Sequence, residues 1–413
     1  MNIRKISYDC LFDIMINHTY SNLCLRKALE PIDENKRPYI THCVYGTLEN
    51  YRYVRWCWCD LVKKEPHVKT AVLLDMAVFE LLWLKTPAYA IINECVTLMK
   101  HIHKHDAGMV NAVLRNVHKR GKRLLPNDPD EKLSIETSHP LWLVKMWNAQ
   151  YGPEICVAIC KGNLKPRKLT ARINTNQTTK DVLLAQTKYF QPSQYTENAL
   201  IYTGGNIAHT KWYKQGDISI QDEASQLIAP LLDPKPNQRI LDVCSAPGTK
   251  AAHIGELIHD QGEIICLDLH EHRVELIKQS AQRLHLRSIH PMCMDACHLD
   301  AFQPNSFDRV LCDVPCSGYG TLSRKSDIKY HMESSDMDTL IPLQKKILHA
   351  ASVMVKSDGI LVYSTCTLNK KENEKQIAWF LKTHEDFTCI KEQTVFPFTY
   401  DCDGFYMTKL IKR

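Results

Sequence analysis

At 413 residues the chain is too long for one core of ordinary size, so two or three domains are expected. A hydrophobic fraction of 44% and a charged fraction of 24% exclude a disordered or fibrous class, and a formal charge of +6 suits an anionic partner without demanding one. The seventeen cysteines follow a start, Met1-Asn2-Ile3-Arg4-Lys5, that lacks secretory features, and no apolar run approaches the ~20 residues that span a bilayer; reduced thiols, a cytoplasmic location and no membrane partner are expected.

From residue 1 to about 125, apolar residues recur at three- and four-residue spacing, as in Ala71, Leu74, Met76, Ala77, Leu81 and Leu82, which predicts a helical bundle. Its last helix, near Gly108 to Arg120, runs into Lys119, Arg120, Lys122 and Arg123, and the helix before it ends in Lys100, His101, His103, Lys104 and His105. Such a cluster is either a solvated face with cations at helix C-termini or an RNA contact. Leu125-Pro126-Asn127-Asp128-Pro129-Asp130 cannot continue a helix and marks a boundary. Residues 126 to 216 read as a small mixed connector: an aromatic helix with Trp142, Trp147 and Tyr151, a second helix to about Gly162, and a strand at Leu169 to Asn174.

Beyond residue 217, β-rich runs alternate with helical stretches. Arg239–Val243, Glu263–Leu267, Arg287–Cys293, Phe307–Cys312 and Ile360–Ser364 are the predicted strands, and a long helix runs from about Met337 to Lys356. That alternation implies crossover units and a doubly wound parallel sheet.

Three motifs carry chemistry. Asp242-Val243-Cys244-Ser245-Ala246-Pro247-Gly248-Thr249-Lys250 is a strand entering a small-residue turn and then a helix, the form of a cofactor cradle without dinucleotide glycine spacing. Asp268 ends the next strand and is placed for a ribose diol, with a helix cap near His270 as the alternative; Asp295 is placed for an adenine amino group, or is a turn residue. Asp313-Val314-Pro315-Cys316-Ser317-Gly318 and Tyr363-Ser364-Thr365-Cys366-Thr367 put two thiols just past strand ends. Cys244, Cys266, Cys293, Cys297, Cys312 and Cys389 read instead as small buried hydrophobes. Carbon 5 of cytosine is too electron-poor to take a sulfonium methyl group unaided, whereas a thiolate adding to carbon 6 makes carbon 5 nucleophilic. Asp313 would then stand near ring nitrogen 3, and Cys316 or a water would take the carbon-5 proton. Cys57-Trp58-Cys59 and His101, His103, His105 lack metal-ligand spacing, so no metal is expected.

In this order the motifs resemble the RNA 5-methylcytosine methyltransferases. Further matches are Arg324 to Lys329, Asn369 to Glu374 and Asp403-Gly404-Phe405-Tyr406. The first half, with Tyr20 to Leu23, Tyr45 to Leu48 and Val110 to Arg115, is similar to the NusB-like domain of bacterial 16S ribosomal RNA methyltransferases of the RsmB/Fmu/Sun family, so the resemblance covers the whole chain. It implies a multidomain protein with an all-α NusB-like RNA-binding bundle at residues 1–125, a connector at 126–216 and a Rossmann-like α/β methyltransferase domain at 217–413. It also implies S-adenosylmethionine as cofactor at Cys244 to Lys250, Asp268, Asp295 and Asp313, with Cys366 as nucleophile and Cys316 assisting release. The implied substrate is 16S ribosomal RNA before full subunit assembly, bound by a monomer. Thr249 and Val314 depart from the family's usual glycine and alanine, and Thr249 is expected to restrict the cofactor turn. The rival readings are a DNA cytosine-5 methyltransferase, whose Pro-Cys nucleophile would be Cys316, another RNA such as tRNA as substrate, and a non-catalytic RNA-binding assembly factor.

Overall fold

A computed structural model describes residues 2–324, 329 and 333–413. The chain folds as two compact units, one of Met1–Lys165 with Leu322–Met332 and one of Pro166–Thr321 with Glu333–Arg413. No helix among the described residues is long and apolar enough to cross a membrane.

The first unit is helical. Helix Val68–Trp83 is buried around its whole circumference from Thr70 to Glu80, as befits the central helix of a bundle. Helices Ile3–Met15, Arg37–Glu49, Ala88–Ile102 and Ala107–Arg120 pack on it. Its two deep carboxylates among the described residues are both matched, Glu80 by Arg4 at 2.9 Å and the Tyr39 hydroxyl, Asp75 by Arg55 at 2.8 Å and the Trp58 indole N–H at 2.7 Å, since a buried charge without partners is costly. The Pro126–Asp130 stretch interrupts the helices and restarts them: Asp128 accepts from the Glu131 amide at 2.8 Å, and Pro129 opens helix Pro129–Glu136. Helices Leu141–Tyr151 and Pro153–Leu164 meet at Gly152, whose φ of 85° a side chain would disfavour. Of the Arg324–Lys329 motif, residues 325–328 lie outside those described; Lys329 is buried, and desolvation lowers its ammonium to about 8 against the partial support of Glu49.

The second unit holds two sheets. In the first, strands β1 (Leu169–Ile173), β2 (Phe190–Pro192), β3 (Ala199–Tyr202) and β4 (Ile218–Ile220) form an antiparallel sheet in the order β2-β3-β1-β4. In the second, β5 (Gln238–Asp242), β6 (Gly262–Asp268), β7 (Ile289–Cys293), β8 (Phe307–Asp313) and β9 (Val355–Thr365) are parallel, as the spacing of the sequence predicts. Two further strands, β10 (Phe387–Val395) and β11 (Phe405–Lys412), complete the order β10-β11-β9-β8-β5-β6-β7 and run antiparallel. β10 carries little strand signal because it lies at the sheet edge and is largely polar, whereas β11 is interior and mostly buried.

Successive residues of the inner strands face opposite cores. Ile240, Ile264, Cys266 and Leu311 pack with Ala251, Ile254 and Ile228, while Leu241, Ile265, Leu267 and Val310 pack with Ile347, Leu348 and Ala351 of helix Asp336–Met354. Burial on both faces explains why these strands read as continuous apolar runs. Chain order reverses between β5 and β8, so the crevice beyond their carboxyl ends is the expected ligand site of a doubly wound sheet.

Candidate active site

A cavity of about 430 Å3 opens at that crevice, and Cys244, Asp268, Asp295, Asp313, Cys316 and Cys366 all line it. Its size falls in the range of small-ligand sites. Another cavity of about 450 Å3, between Tyr195, Glu223 and Tyr400, contains neither the thiols nor the strand-end aspartates.

The register of the sheet assembles the site. Asp313 pairs with Ser364 across β8 and β9, which places both following loops at the same rim. The Cys316 and Cys366 sulfurs stand 3.3 Å apart, fifty residues apart in sequence. Cys316 shares a hydrogen bond with Cys366; that bond, followed by burial and by the charge of its partner, pushes the Cys316 thiol well above its ordinary value. Asp313 accepts from the Ser364 hydroxyl at 2.6 Å and pairs with the Lys250 ammonium at 2.7 Å. Burial alone would lower the Lys250 pKa, but Asp313 and, more weakly, Cys366 hold it above its ordinary value. The site therefore sets a cation beside Asp313 and Cys366.

The turn after β5 is tightly drawn. Ser245 donates its amide to Leu267 O at 2.8 Å, the Ala246–Pro247 peptide is cis, and Gly248 donates to Ser245 O at 2.8 Å. Gly248 takes φ 95°, and a Cβ there would stand 3.2 Å from Ile277 Cα, so both conformation and space call for glycine. Thr249, by contrast, is the first residue of helix Thr249–Leu257. The left-handed position falls one residue earlier, so the threonine restricts nothing in the turn. Of the seven residues from Cys244 to Lys250, only Cys244 and Ala246 line the cavity, and Lys250 is engaged by Asp313.

Asp268 serves neither of its two readings alone. One oxygen accepts from the His270 amide at 3.2 Å in a local turn, and the other lies 3.4 Å from Arg273, while helix Glu271–Arg283 receives no side-chain cap. Asp295 likewise accepts from the Cys297 amide at 2.9 Å, and it is exposed at the cavity wall. Cys266 and Cys312 are buried as the sequence suggests, but Cys293 is exposed because its strand, β7, is the sheet's other edge.

Sequence reasoning passes over four contributors. Arg273 also donates to Ala246 O at 3.4 Å, tying the turn to Asp268. Asp242, buried under the turn, is pushed up to about 7 by desolvation and by the Asp313 charge, which Ser245 and Lys250 only partly offset. Its position at the end of an apolar strand was the available signal. Arg172 of β1 reaches Thr249 O at 2.9 Å and Glu256 at 2.7 Å, both partners of the pair being sealed from solvent. Nothing in the local sequence links residues so far apart.

A Rossmann-like sheet with a carboxyl-end cavity, strand-end aspartates and a glycine turn defines an S-adenosylmethionine-dependent methyltransferase. The residues suit that cofactor: acidic acceptors at Asp268 and Asp295 stand beside the narrow Ala246 to Gly248 turn, within a cavity of adequate volume. A family model described as 16S rRNA methyltransferase RsmB/F matches residues 229–411, one described as the NusB family matches 1–119, and an RsmF/B-like ferredoxin-like domain matches 139–201. The chain is 39% identical over 399 residues to the probable ribosomal RNA small subunit methyltransferase B of Bacillus subtilis, covering 94% of this chain and 89% of that protein. It is 32% identical to the protein of the same description from Synechocystis, over the full length of both. The crystal structure of PH0851 shares the fold with a TM-score of 0.84 and 21% identity, covering 100% of this chain and 99% of that one. The chain belongs to the RsmB/F family of 16S ribosomal RNA methyltransferases.

Proposed function

We infer that the protein methylates carbon 5 of one cytosine in 16S ribosomal RNA through a covalent bond between Cys366 and carbon 6 of that base. The observation that carries this reading is the pair of sulfurs 3.3 Å apart with Cys316 biased towards its protonated form. A thiol that shares its proton with a neighbour leaves the neighbour as the more nucleophilic sulfur, and the Lys250 cation further favours a Cys366 thiolate. S-adenosylmethionine supplies an electrophilic methyl group, and Asp268 and Asp295 would hold it at the cavity wall. Asp313, fixed by Lys250 and Ser364, stands for ring nitrogen 3, where the Lys250–Asp313 pair supplies a proton as Cys366 attacks. Attack consumes the charge on Cys366 and breaks the thiol–thiol bond, so the leading cause of the high Cys316 pKa disappears. Freed of that bond, Cys316 passes its proton to solvent. Once carbon 5 has taken the methyl group, the Cys316 thiolate, or a water it holds, takes the carbon-5 proton, Cys366 leaves carbon 6 as a thiolate, and the proton on ring nitrogen 3 returns to the Lys250–Asp313 pair.

The target base must leave its stack to reach the thiols, which favours unmethylated small-subunit RNA that is not yet fully assembled. We assign RNA contact to the helical domain at 1–125, joined by the connector at 126–216 to the methyltransferase domain at 217–413, in a cytoplasmic monomer. Within the basic cluster, Arg120 is committed to Asp60 at 2.7 Å, Arg123 lies 3.8 Å over Trp56, and Lys122 lies 4.0 Å over Trp83. Lys100, Lys104 and Lys119 are exposed and are the better candidates for phosphates.

Denaturing gels of the protein with S-adenosylmethionine and substrate RNA test the assignment. Cys366→Ala is expected to abolish methylation and to form no adduct, and Cys316→Ala to accumulate a denaturation-resistant protein–RNA adduct. The opposite pattern would make Cys316 the nucleophile. Loss of 5-methylcytosine from 16S RNA in cells lacking the gene identifies the substrate.

A further inference from the structure

Two adjacent buried residues, Glu372 and Asn373, lie outside the cavity yet bond to the residues that flank the two thiols. Each Glu372 oxygen receives two donors. Oε1 accepts from the Ser317 hydroxyl at 2.5 Å and Asn369 Nδ2 at 2.9 Å; Oε2 accepts from the Ser317 amide and Gln344 Nε2, both at 2.9 Å. The same Gln344 nitrogen donates to Pro315 O at 2.9 Å. Cys316 is thus held on both sides, at the carbonyl before it through Gln344 and at the amide after it directly.

Asn373 does the corresponding work on the other loop. Its Oδ1 accepts from the Thr365 hydroxyl at 2.6 Å, and its Nδ2 donates to Thr367 O at 2.9 Å. A carbonyl only accepts, so this orientation of the amide is fixed. Cys366 is further anchored where β9 pairs with β11, Thr365 opposite Tyr406, and by the Gly320 amide, 3.1 Å from Cys366 O. The two loops meet through the hydroxyls of Ser317 and Thr367 at 2.7 Å. Both Glu372 and Asn373 have no solvent exposure, so these bonds meet no competition from water.

We propose that Glu372 and Asn373 are paired positioning residues, Glu372 fixing Cys316 and Asn373 fixing Cys366, which together hold the two sulfurs in register for successive steps. Glu372 must be an acceptor at both oxygens. In Glu372→Gln one oxygen becomes an NH2 group facing two donors, and the loop that moves is the one carrying Cys316. In Asn373→Asp the group facing the Thr367 carbonyl becomes an acceptor, and the loop that moves carries Cys366.

The division of labour rests on Cys366 being the attacking thiol, and it predicts opposite signatures from two isosteric substitutions. Glu372→Gln is expected to lower kcat 10- to 100-fold, the scale of a displaced catalytic group, while KM for RNA and affinity for S-adenosylmethionine stay unchanged and the protein–RNA adduct accumulates. Asn373→Asp is expected to lower kcat without any adduct, because attack itself is slowed. Should Glu372→Gln not fold, Ser317→Ala removes the hydroxyl bond to Glu372 together with the Ser317–Thr367 link, leaves the Ser317 amide bond to Glu372 in place, and is expected to show the same adduct more weakly. Parent turnover in either variant, or the same adduct behaviour in both, overturns the proposal. So does a loss of kcat accompanied by equal losses of melting temperature and cofactor affinity. Cys366→Ala and Cys316→Ala run alongside separate the two failures: if those controls behave as assigned and the Glu372 and Asn373 variants do not, only the positioning roles fall.

Discussion

Asp242 offers a test that needs no RNA. Its carboxyl is fully buried beneath the cofactor turn, and desolvation with the nearby Asp313 charge pushes it from 3.8 up to about 7. With the folded value above the unfolded one, the protonated form is favoured in the fold. The associated stability is complete below about pH 4 and is lost as pH rises towards 7. At 1.36 kcal/mol per unit, three units correspond to about 4 kcal/mol in all, of which about 2–3 kcal/mol falls between pH 5 and 8. Asp242→Asn replaces the carboxyl by a neutral group of the same shape and removes that dependence. Thermal melts of variant and parent at matched pH are expected to diverge by about 5–10 °C across this window in favour of the variant, taking ~2–4 °C per kcal/mol for a unit of this size. A difference between variant and parent that stays constant from pH 5 to 8 would refute the argument, since it would mean that Asp242 ionises in the fold as it does in water.

Two further outcomes follow from the geometry. Asp268→Ala is expected to weaken S-adenosylmethionine binding by about 1.5–3 kcal/mol, the loss of a charged hydrogen-bond partner, with little change in melting temperature; equal affinities by calorimetry would remove Asp268 from the site. Reversing Lys104 and Lys119 together is expected to reduce RNA affinity and flatten its salt dependence, whereas Arg120→Ala, by breaking the Asp60 pair, acts on stability instead; an unchanged salt slope returns the cluster to a solvated face.

The parallel strands were legible because burial on both faces forces apolar runs bounded by glycine, proline and aspartate, as at Gly262 to Asp268. The strand ends then brought Asp268, Asp313, Cys316 and Cys366 into view as candidates for one rim. Strand β10 was not legible, since an edge strand such as Thr388 to Thr394 is largely exposed to solvent and carries Lys391 and Glu392. Arg172 and Glu256, or Ser317 and Glu372, depend on partners more than fifty residues away, and no local period reports such pairs. Arg120 shows the reverse difficulty. In sequence it belongs to a basic cluster, but its guanidinium is turned to Asp60 and Cys57 O, which only the fold brings near.

The first unit is not a contiguous piece of chain. Between Lys165 and Leu322 a ribosome must add 156 residues, the bulk of the second unit, before the final segment of the first begins. At roughly 5–20 residues per second that interval is about 8–31 s. During synthesis the helices up to Leu164 emerge and pack while the surroundings of Lys329, including Cys160, still lack that side chain. The nascent helical unit is therefore finished only when the chain has passed the Cys316 loop, so completing the bundle is coupled in time to building the active site. A fragment that ends anywhere before residue 332 is expected to lack part of both units, and expression of the helical half alone would present an incomplete fold to the cell's proteases.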